Sequence, residues 1–507
     1  MTLATDLLAK QALMHPRRTA LVDVTSGREL SYAALNGRAS ALAHGLRGRL
    51  GLAPGARVAL LARNGAEFFE LLFACAKAEL ILVPLNWRLA VPELSFVMED
   101  CRASVLFYES AFGEQARALG ERAPELSGIC LGTSEAGDER VYESLVEGGS
   151  PDFEMPERQL EDAWYVLYTS GTTGRPKGVV QTFGMALFNY LNIGVPLDLT
   201  SRDTTLNVLP FFHTGGINLL SLPTLMVGGT CMLISAFDAG QVLDLLEKRA
   251  TVFFGVPAMY QMLRDHPAFA GSDLRGVRAW ACGGAPMPHS VLREYAEHGV
   301  PIRQGFGMTE TGPTVFLMDE QRVMEKIGSV GLPQQYVQVR VVDADGNDLQ
   351  TDAVGELWVK GPAVTPGYWH QPEKTAEAFT ADGWLRTGDL ARRDADGYYY
   401  IVDRSKDMFI SGGENVYPAE VENVLYTHPD VAEVAVIGVP DARWGEVGLA
   451  VVVPRPGSDP DPDGLRRHCQ GRLARYKIPA RFEFAEALPR NAGGKVVKPQ
   501  LRERYVG

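Results

Sequence analysis

YTSGTTGRPKG, residues Tyr168–Gly178, sets three glycines, a proline and a lysine among hydroxyl side chains. Such a loop can turn backbone N–H groups toward an anion, and glycine lets the backbone come close to a phosphate. The phosphate loop of P-loop NTPases reads Gly, four residues, then Gly-Lys-Ser/Thr. Aligning Gly171 with the first glycine brings Lys177 into register. Pro176 then stands where glycine is required, and Gly178 where a magnesium-binding hydroxyl belongs. Proline also removes a backbone N–H from the cradle. The stretch therefore reads as a phosphate-handling loop of another kind, and the surrounding chain must say which.

Short apolar runs alternate with amphipathic segments on both sides of it. RVALLA (57–62), AELILVPL (78–85), ASVLFY (103–108), TCMLISA (230–236), TVFFGVP (251–257) and VRAWACGG (277–284) read as strands. AGQVLDLLEKRA (239–250) and MPHSVLREYAEHG (287–299) read as helices, the first capped by Asp238 with Gln241 three residues on. Strand–helix alternation implies βαβ units and largely parallel sheets. From about residue 330 the texture turns β-rich, with VQVRVVDADGNDL (337–349) and GELWVKGP (355–362) joined by an Asp-Gly turn. After IVDRSKD (401–407) a small α+β unit begins, with strands expected in 431–440 and 449–456. The expected fold class is α/β. A large N-terminal domain of several subdomains (1–405) combines parallel βα sheets and a β-rich part, and a small mobile α+β C-terminal domain (406–507) follows.

The chain has 507 residues, 46% of them hydrophobic, and a net charge of −13. That is a globular composition with ample core. The acidic balance argues against nucleic acid as a partner. Six scattered cysteines without a CxxC pair read as reduced core residues. No signal peptide is expected from MTLATDLLAKQALMHPRR. LLFACAKAELILVPL (71–85) is interrupted by Lys77 and Glu79 and is too short for an integral membrane segment. The ending RERYVG is not a peroxisomal address. The expected location is cytoplasmic; oligomeric state is left open, a homodimer included.

Further glycine-rich turns recur: PFFHTGG (210–216), CGGAPMP (282–288), QGFGMTETGP (304–313), RTGDL (386–390), DRSKDMFISGGENVYPAEVE (403–422) and PRNAGGKVVK (489–498). In this order, and with the opening loop, they resemble the adenylate-forming superfamily of acyl-CoA synthetases, peptide-synthetase adenylation domains and luciferases. The resemblance covers nearly the whole chain. It implies ATP, Mg²⁺ and coenzyme A as cofactor and co-substrates, and a small-molecule carboxylic acid as partner. It also implies a C-terminal domain that rotates between two half-reactions.

By that resemblance, Thr169, Ser170, Gly171, Thr172, Thr173, Gly174 and Lys177 would hold the β- and γ-phosphates. Thr309 would bond the α-phosphate and Glu310 would help hold Mg²⁺. Gly283, Gly284 and Ala285, with Gln304, Gly305, Phe306 and Gly307, would form the adenine slot. Phe306 stands where the family usually has tyrosine, so a hydroxyl is lost but the ring can still stack. Asp389 and Arg404 match the ribose-binding pair; alone, each would read as a turn residue or surface ion pair. Lys495 would bridge carboxylate and α-phosphate during adenylation. Lys406 matches the hinge, and after rotation Ser411, Gly412, Gly413 and Glu414 would line the thiol channel. His213, Gly215, Trp280, Met308, Pro313 and Thr314 are candidates for the acyl pocket, with core packing as the rival reading. The expected activity is AMP-forming acyl-CoA synthesis on a medium- or long-chain fatty acid. Alternatives are an aryl or hydroxycinnamate acid, or a stand-alone amino-acid adenylation enzyme that loads a carrier protein.

Overall fold

The computed structural model describes residues 3–132, 140–169, 176–404, 406–441, 443–490 and 495–506, the side chains of 140, 141 and 404 excepted. Among these residues two large sheets dominate. In the first, Arg57–Leu61 lies between Ile81–Pro84 and Ala103–Tyr108, all parallel. The strands are almost entirely buried, which explains their unbroken apolar sequences. The second sheet is parallel through Ala279–Cys282, Val252–Gly255, Thr204–Asn207 and Thr230–Leu233. Thr19–Asp23, from far upstream, pairs parallel with Thr230–Leu233. That long-range pairing had no sequence signal.

Each expected strand forms: most are shorter than the run that announced them, Ala103–Tyr108 matches it, and Val431–Asp441 and Gly445–Pro454 reach beyond it at one end. The helix Ala239–Lys248 starts where Asp238 accepts the Gln241 N–H at 2.8 Å. In the β-rich part, Gln338–Val342 pairs antiparallel with Gly355–Lys360. The Asp-Gly turn closes a bridge between Val342 and Asp348 and does not join the two strands directly. Leu385–Arg393 and Tyr399–Arg404 complete this four-stranded sheet.

Beyond residue 405, Val431–Asp441 and Gly445–Pro454 form an antiparallel pair, with Arg481–Phe484 parallel to the second strand. Two hydrophobic clusters, one around Val436 and Leu465 and one around Ile437 and Leu501, are built wholly from residue 409 onward. No described helix is long and apolar enough to cross a membrane.

Candidate active site

A cavity of about 1070 Å³ opens where the parallel strands of both large sheets end. Arg63 and Asn64 follow one strand, Trp87 and Arg88 the next, and Ala111 and Phe112 a third. From the second sheet, Val208–Pro210, Ser235–Phe237, Val256 and Gly283–Gly284 do the same. Loops outside the carboxyl ends of parallel strands are where open α/β sheets place ligands.

Thr169 and Lys177 both line this cavity and form the last cross-strand pair of an antiparallel hairpin. These two residues flank the expected phosphate loop in sequence. Its residues Ser170, Gly171, Thr172, Thr173 and Gly174 lie outside the described residues. The Lys177 ammonium sits 4.7 Å from the centre of the Tyr368 ring. The Tyr368 hydroxyl donates to a Glu310 carboxylate oxygen at 3.1 Å. Burial first, and then the Glu310 charge, push the Tyr368 phenol far up, so it remains a proton donor. Glu310 is 9% exposed and lies in the short turn Thr309–Thr311. Two bonds fix that turn: Gln181 donates to the Thr309 carbonyl at 3.0 Å, and the Thr365 N–H to the Glu310 carbonyl at 2.8 Å.

Gly283, Gly284, Gly305, Phe306 and Gly307 line the cavity; Ala285 and Gln304 do not. Gln304 is turned inward, where it accepts the Met287 N–H at 3.4 Å and donates to the Ser329 carbonyl at 3.4 Å. Its side chain thus braces the wall behind the expected adenine slot. Gly307 is required sterically, since a Cβ there would lie 1.8 Å from the Pro313 carbonyl oxygen. Asp389 is buried behind the lining residues Thr387 and Gly388. Its Cα pairs across the ladder with Arg404, whose side chain lies outside the described residues.

His213, Gly215, Met308, Pro313 and Thr314 line the cavity; Trp280 does not. Trp280 is 3% exposed, its ring lies edge-on to Phe253, and its indole N–H donates to the Val277 carbonyl at 3.0 Å. Of the two readings the sequence left open for it, these contacts favour core packing. It sits mid-strand in a sheet covered on both faces, so each direction a side chain can take leads into core.

Lys495 lines the same cavity as Lys177, Thr309 and Glu310, whereas Ser411, Gly412, Gly413 and Glu414 do not. Those four form a hairpin turn away from it, with the Gly412 N–H bonded to the Trp444 carbonyl at 2.8 Å. Lys406 is exposed between two anchored neighbours. Asp403 accepts the Ala419 N–H at 3.1 Å, and Asp407 pairs with Arg502 at 3.1 Å. Tyr368, Met259 and Met262 line the site without having been singled out in the sequence. A tyrosine following Pro-Gly, far from any glycine-rich motif, carried no mark of its contact with Glu310.

The sequence profile of AMP-binding enzymes matches residues 8–369, and that of their C-terminal domain matches residues 420–495. The chain belongs to the AMP-binding enzyme family. It is an AMP-forming acid–thiol ligase that uses ATP and CoA. A feruloyl-CoA synthase of Amycolatopsis is 45% identical over 98% of both chains. A long-chain-fatty-acid–CoA ligase of Mycobacterium tuberculosis is 38% identical over 98% of both. The o-succinylbenzoate CoA synthetase of Bacillus subtilis, solved with its acyl-adenylate intermediate, superposes with a TM-score of 0.88 at 32% identity, covering 99% of each chain.

Proposed function

We propose that this ligase activates an aryl carboxylic acid of the hydroxycinnamate class as its acyl-adenylate and then transfers the acyl group to CoA. One observation carries the adenylation chemistry: Lys177, Thr309, Glu310 and Lys495 share a single cavity with an apolar wall that includes Phe237 and Met259. A carboxylate is a poor electrophile, and joining it to the α-phosphorus of ATP brings anions together. The acid is already ionised at neutral pH, so no base has to remove a proton. Cations and positioned donors therefore supply most of the catalysis. In this reading Lys495 neutralises the carboxylate and α-phosphate as the bond forms and pyrophosphate leaves. Lys177 and the loop 169–174 hold the departing phosphates, Thr309 donates to the α-phosphate, and Asp389 with Arg404 takes the ribose.

Among the described residues no group of three or more metal-ligating side chains occurs. One buried carboxylate fits Mg²⁺, which is held by one or two carboxylates plus substrate phosphates. Glu310, oriented by Tyr368, would hold it, and the ion would offset charge on the phosphates.

The acid class rests on similarity: the feruloyl relative stands at 45% identity and the long-chain-fatty-acid relative at 38%. This displaces the fatty acid expected from sequence, because a pocket assembled from several loops cannot be sized from residue names. We further propose units 1–405 and 406–507 that rotate about Lys406, and a cytoplasmic setting in keeping with six buried free thiols. The test is pyrophosphate release from ATP over fatty acids, benzoate, cinnamates and amino acids, with and without CoA. CoA-dependent turnover that favours cinnamates supports the reading, and preference for fatty acids overturns it.

A further inference from the structure

We propose that Thr314 reads a ring oxygen of the aromatic acid, so that the preferred substrates are oxygenated aryl acids, phenols or aryl ethers. This rests on the aryl reading above. Thr314 opens the strand Thr314–Leu317, lines the cavity beside Pro313 and is 4% exposed. Its backbone is fixed from behind by buried amides. Asn189 accepts the Thr314 N–H at 2.9 Å and donates to the Asn218 carbonyl at 2.5 Å. Asn218 donates to the Gly312 carbonyl at 3.0 Å and accepts the Tyr165 hydroxyl at 2.7 Å. With so many donors and acceptors gathered around its backbone, the Thr314 hydroxyl itself is buried and bonds to no group among the described residues.

Neighbouring threonines differ. The Thr311 hydroxyl is engaged with Met308 and Pro313, and the Thr214 hydroxyl accepts from Asn218 at 3.2 Å. A buried hydroxyl left without a partner forfeits the hydrogen bonds that water would give it. An occupant that supplies a donor or acceptor at that point restores one, and a hydroxyl can serve in either role. An alkyl chain or an unsubstituted ring offers neither. A pocket that expects a hydrogen bond discriminates against the analogue that lacks it more strongly than an apolar pocket discriminates between sizes. Ile193, on the helix that carries Asn189, lines the same cavity and supplies apolar wall. The residue that carries the hydroxyl thus stands in the same cavity lining as an apolar side chain.

The experiment compares kcat/KM of thioester formation for 4-hydroxy-3-methoxycinnamate, 4-hydroxycinnamate, cinnamate and decanoate. The enzymes are wild type, Thr314→Val, which keeps the shape but not the hydroxyl, and Thr314→Ser, which keeps the hydroxyl. Wild type should favour an oxygenated acid over cinnamate by about tenfold or more, of the order expected for one hydrogen bond. Thr314→Val should lose that preference, with kcat/KM falling about tenfold more for the oxygenated acids than for cinnamate, and Thr314→Ser should retain it. Equal losses for every acid in Thr314→Val would mean that the hydroxyl serves the carboxylate or nucleotide, and would overturn the inference while leaving the aryl reading intact. So would a wild type that treats cinnamate and its oxygenated forms alike, an outcome readable even if the valine variant fails to fold. Preference for decanoate over all aryl acids would instead sink the aryl reading on which the inference rests.

Discussion

The Tyr368 hydroxyl donates to the Glu310 carboxylate at 3.1 Å while the Lys177 ammonium lies 4.7 Å from the centre of the same ring. One side chain thus orients the proposed metal-binding acid and packs against the phosphate-loop cation. Groups that orient a ligating carboxylate typically alter metal affinity or activity 10–100-fold when removed. Tyr368→Phe keeps the ring and deletes the donor. It should lower ATP-dependent adenylation about 10-fold and raise the Mg²⁺ concentration needed for half-maximal pyrophosphate release. An unchanged Mg²⁺ titration would show that Glu310 does not act through a metal.

Lys495 reaches the cavity from the C-terminal part of the chain. Lys495→Ala should slow adenylation by about 10²–10³, or roughly 3–4 kcal/mol, as for loss of one transition-state donor. Thioester formation from supplied acyl-adenylate should be spared. Equal losses in both half-reactions would contradict the role proposed for this lysine.

Lys406 is exposed, but Asp403 and Asp407 on either side of it are tied to the C-terminal unit. A rotation about this segment must be absorbed in very few backbone torsions. Proline fixes its own φ and restricts the preceding residue. Lys406→Pro should leave adenylation within about twofold of wild type and abolish thioester formation, since a hinge residue absorbs the change in φ and ψ. Single-turnover assays of the two halves separate these outcomes; unimpaired thioester synthesis would rule out a hinge here.

Away from the site, Asp203 is 4% exposed and accepts two bonds from Arg278, at 2.9 and 2.6 Å. Burial alone would raise its pKa. The Arg278 guanidinium, the Thr200 N–H and the Thr251 hydroxyl outweigh that and hold it below the usual carboxylate range. A depressed folded-state pKa contributes stability above the unfolded-state value, near about 3.9, and that contribution is lost as pH falls through the folded-state value. Asp203→Asn should therefore destabilise at neutral pH by about 1.5–3 kcal/mol, the range for charge-assisted bonds. The gap to wild type in urea unfolding should close as pH drops below about 4. A gap that stays constant with pH would show that the carboxylate charge is not what matters.

What the sequence disclosed and what it withheld divide along physical lines. Val252–Gly255 and the last four residues of Ala103–Tyr108 were legible because strand segments covered on both faces read as unbroken apolar runs. Asp238 was legible because a cap acts within four residues. The motif residues around 177, 283, 305–310 and 495 line one cavity, in keeping with the chemistry proposed for them. Trp280 could not be assigned between pocket and core from sequence, because a ring two residues before the glycine turn is compatible with both, while the burial of its strand on both sides is a tertiary fact. Tyr368 could not be found, since its partner lies 58 residues away and nothing local encodes the pairing.

The adjacent glycines Gly215 and Gly216 read alike in sequence, and the structure separates them. A Cβ on Gly215 would face the cavity and meet the ends of two flexible side chains, Leu209 Cδ1 at 3.2 Å and Leu219 Cδ1 at 3.4 Å. A Cβ on Gly216 would lie 2.3 Å from the Pro210 carbonyl oxygen and 2.7 Å from that of Leu209, both backbone atoms that cannot move aside alone. Only the first glycine therefore borders the cavity without a backbone clash, which suits the proposed acyl pocket. Gly215→Ala should fold normally and narrow the pocket, shifting kcat/KM between bulky and slender acids by about 10-fold, the scale of one methylene in a pocket. Gly216→Ala should instead lower the thermal midpoint by several degrees, corresponding to about 1–3 kcal/mol of overpacking, with the ranking of acids unchanged. Calorimetry and a small acid panel on the two variants distinguish the roles. A stability loss in Gly215→Ala without a change in acid ranking would remove Gly215 from the acyl pocket.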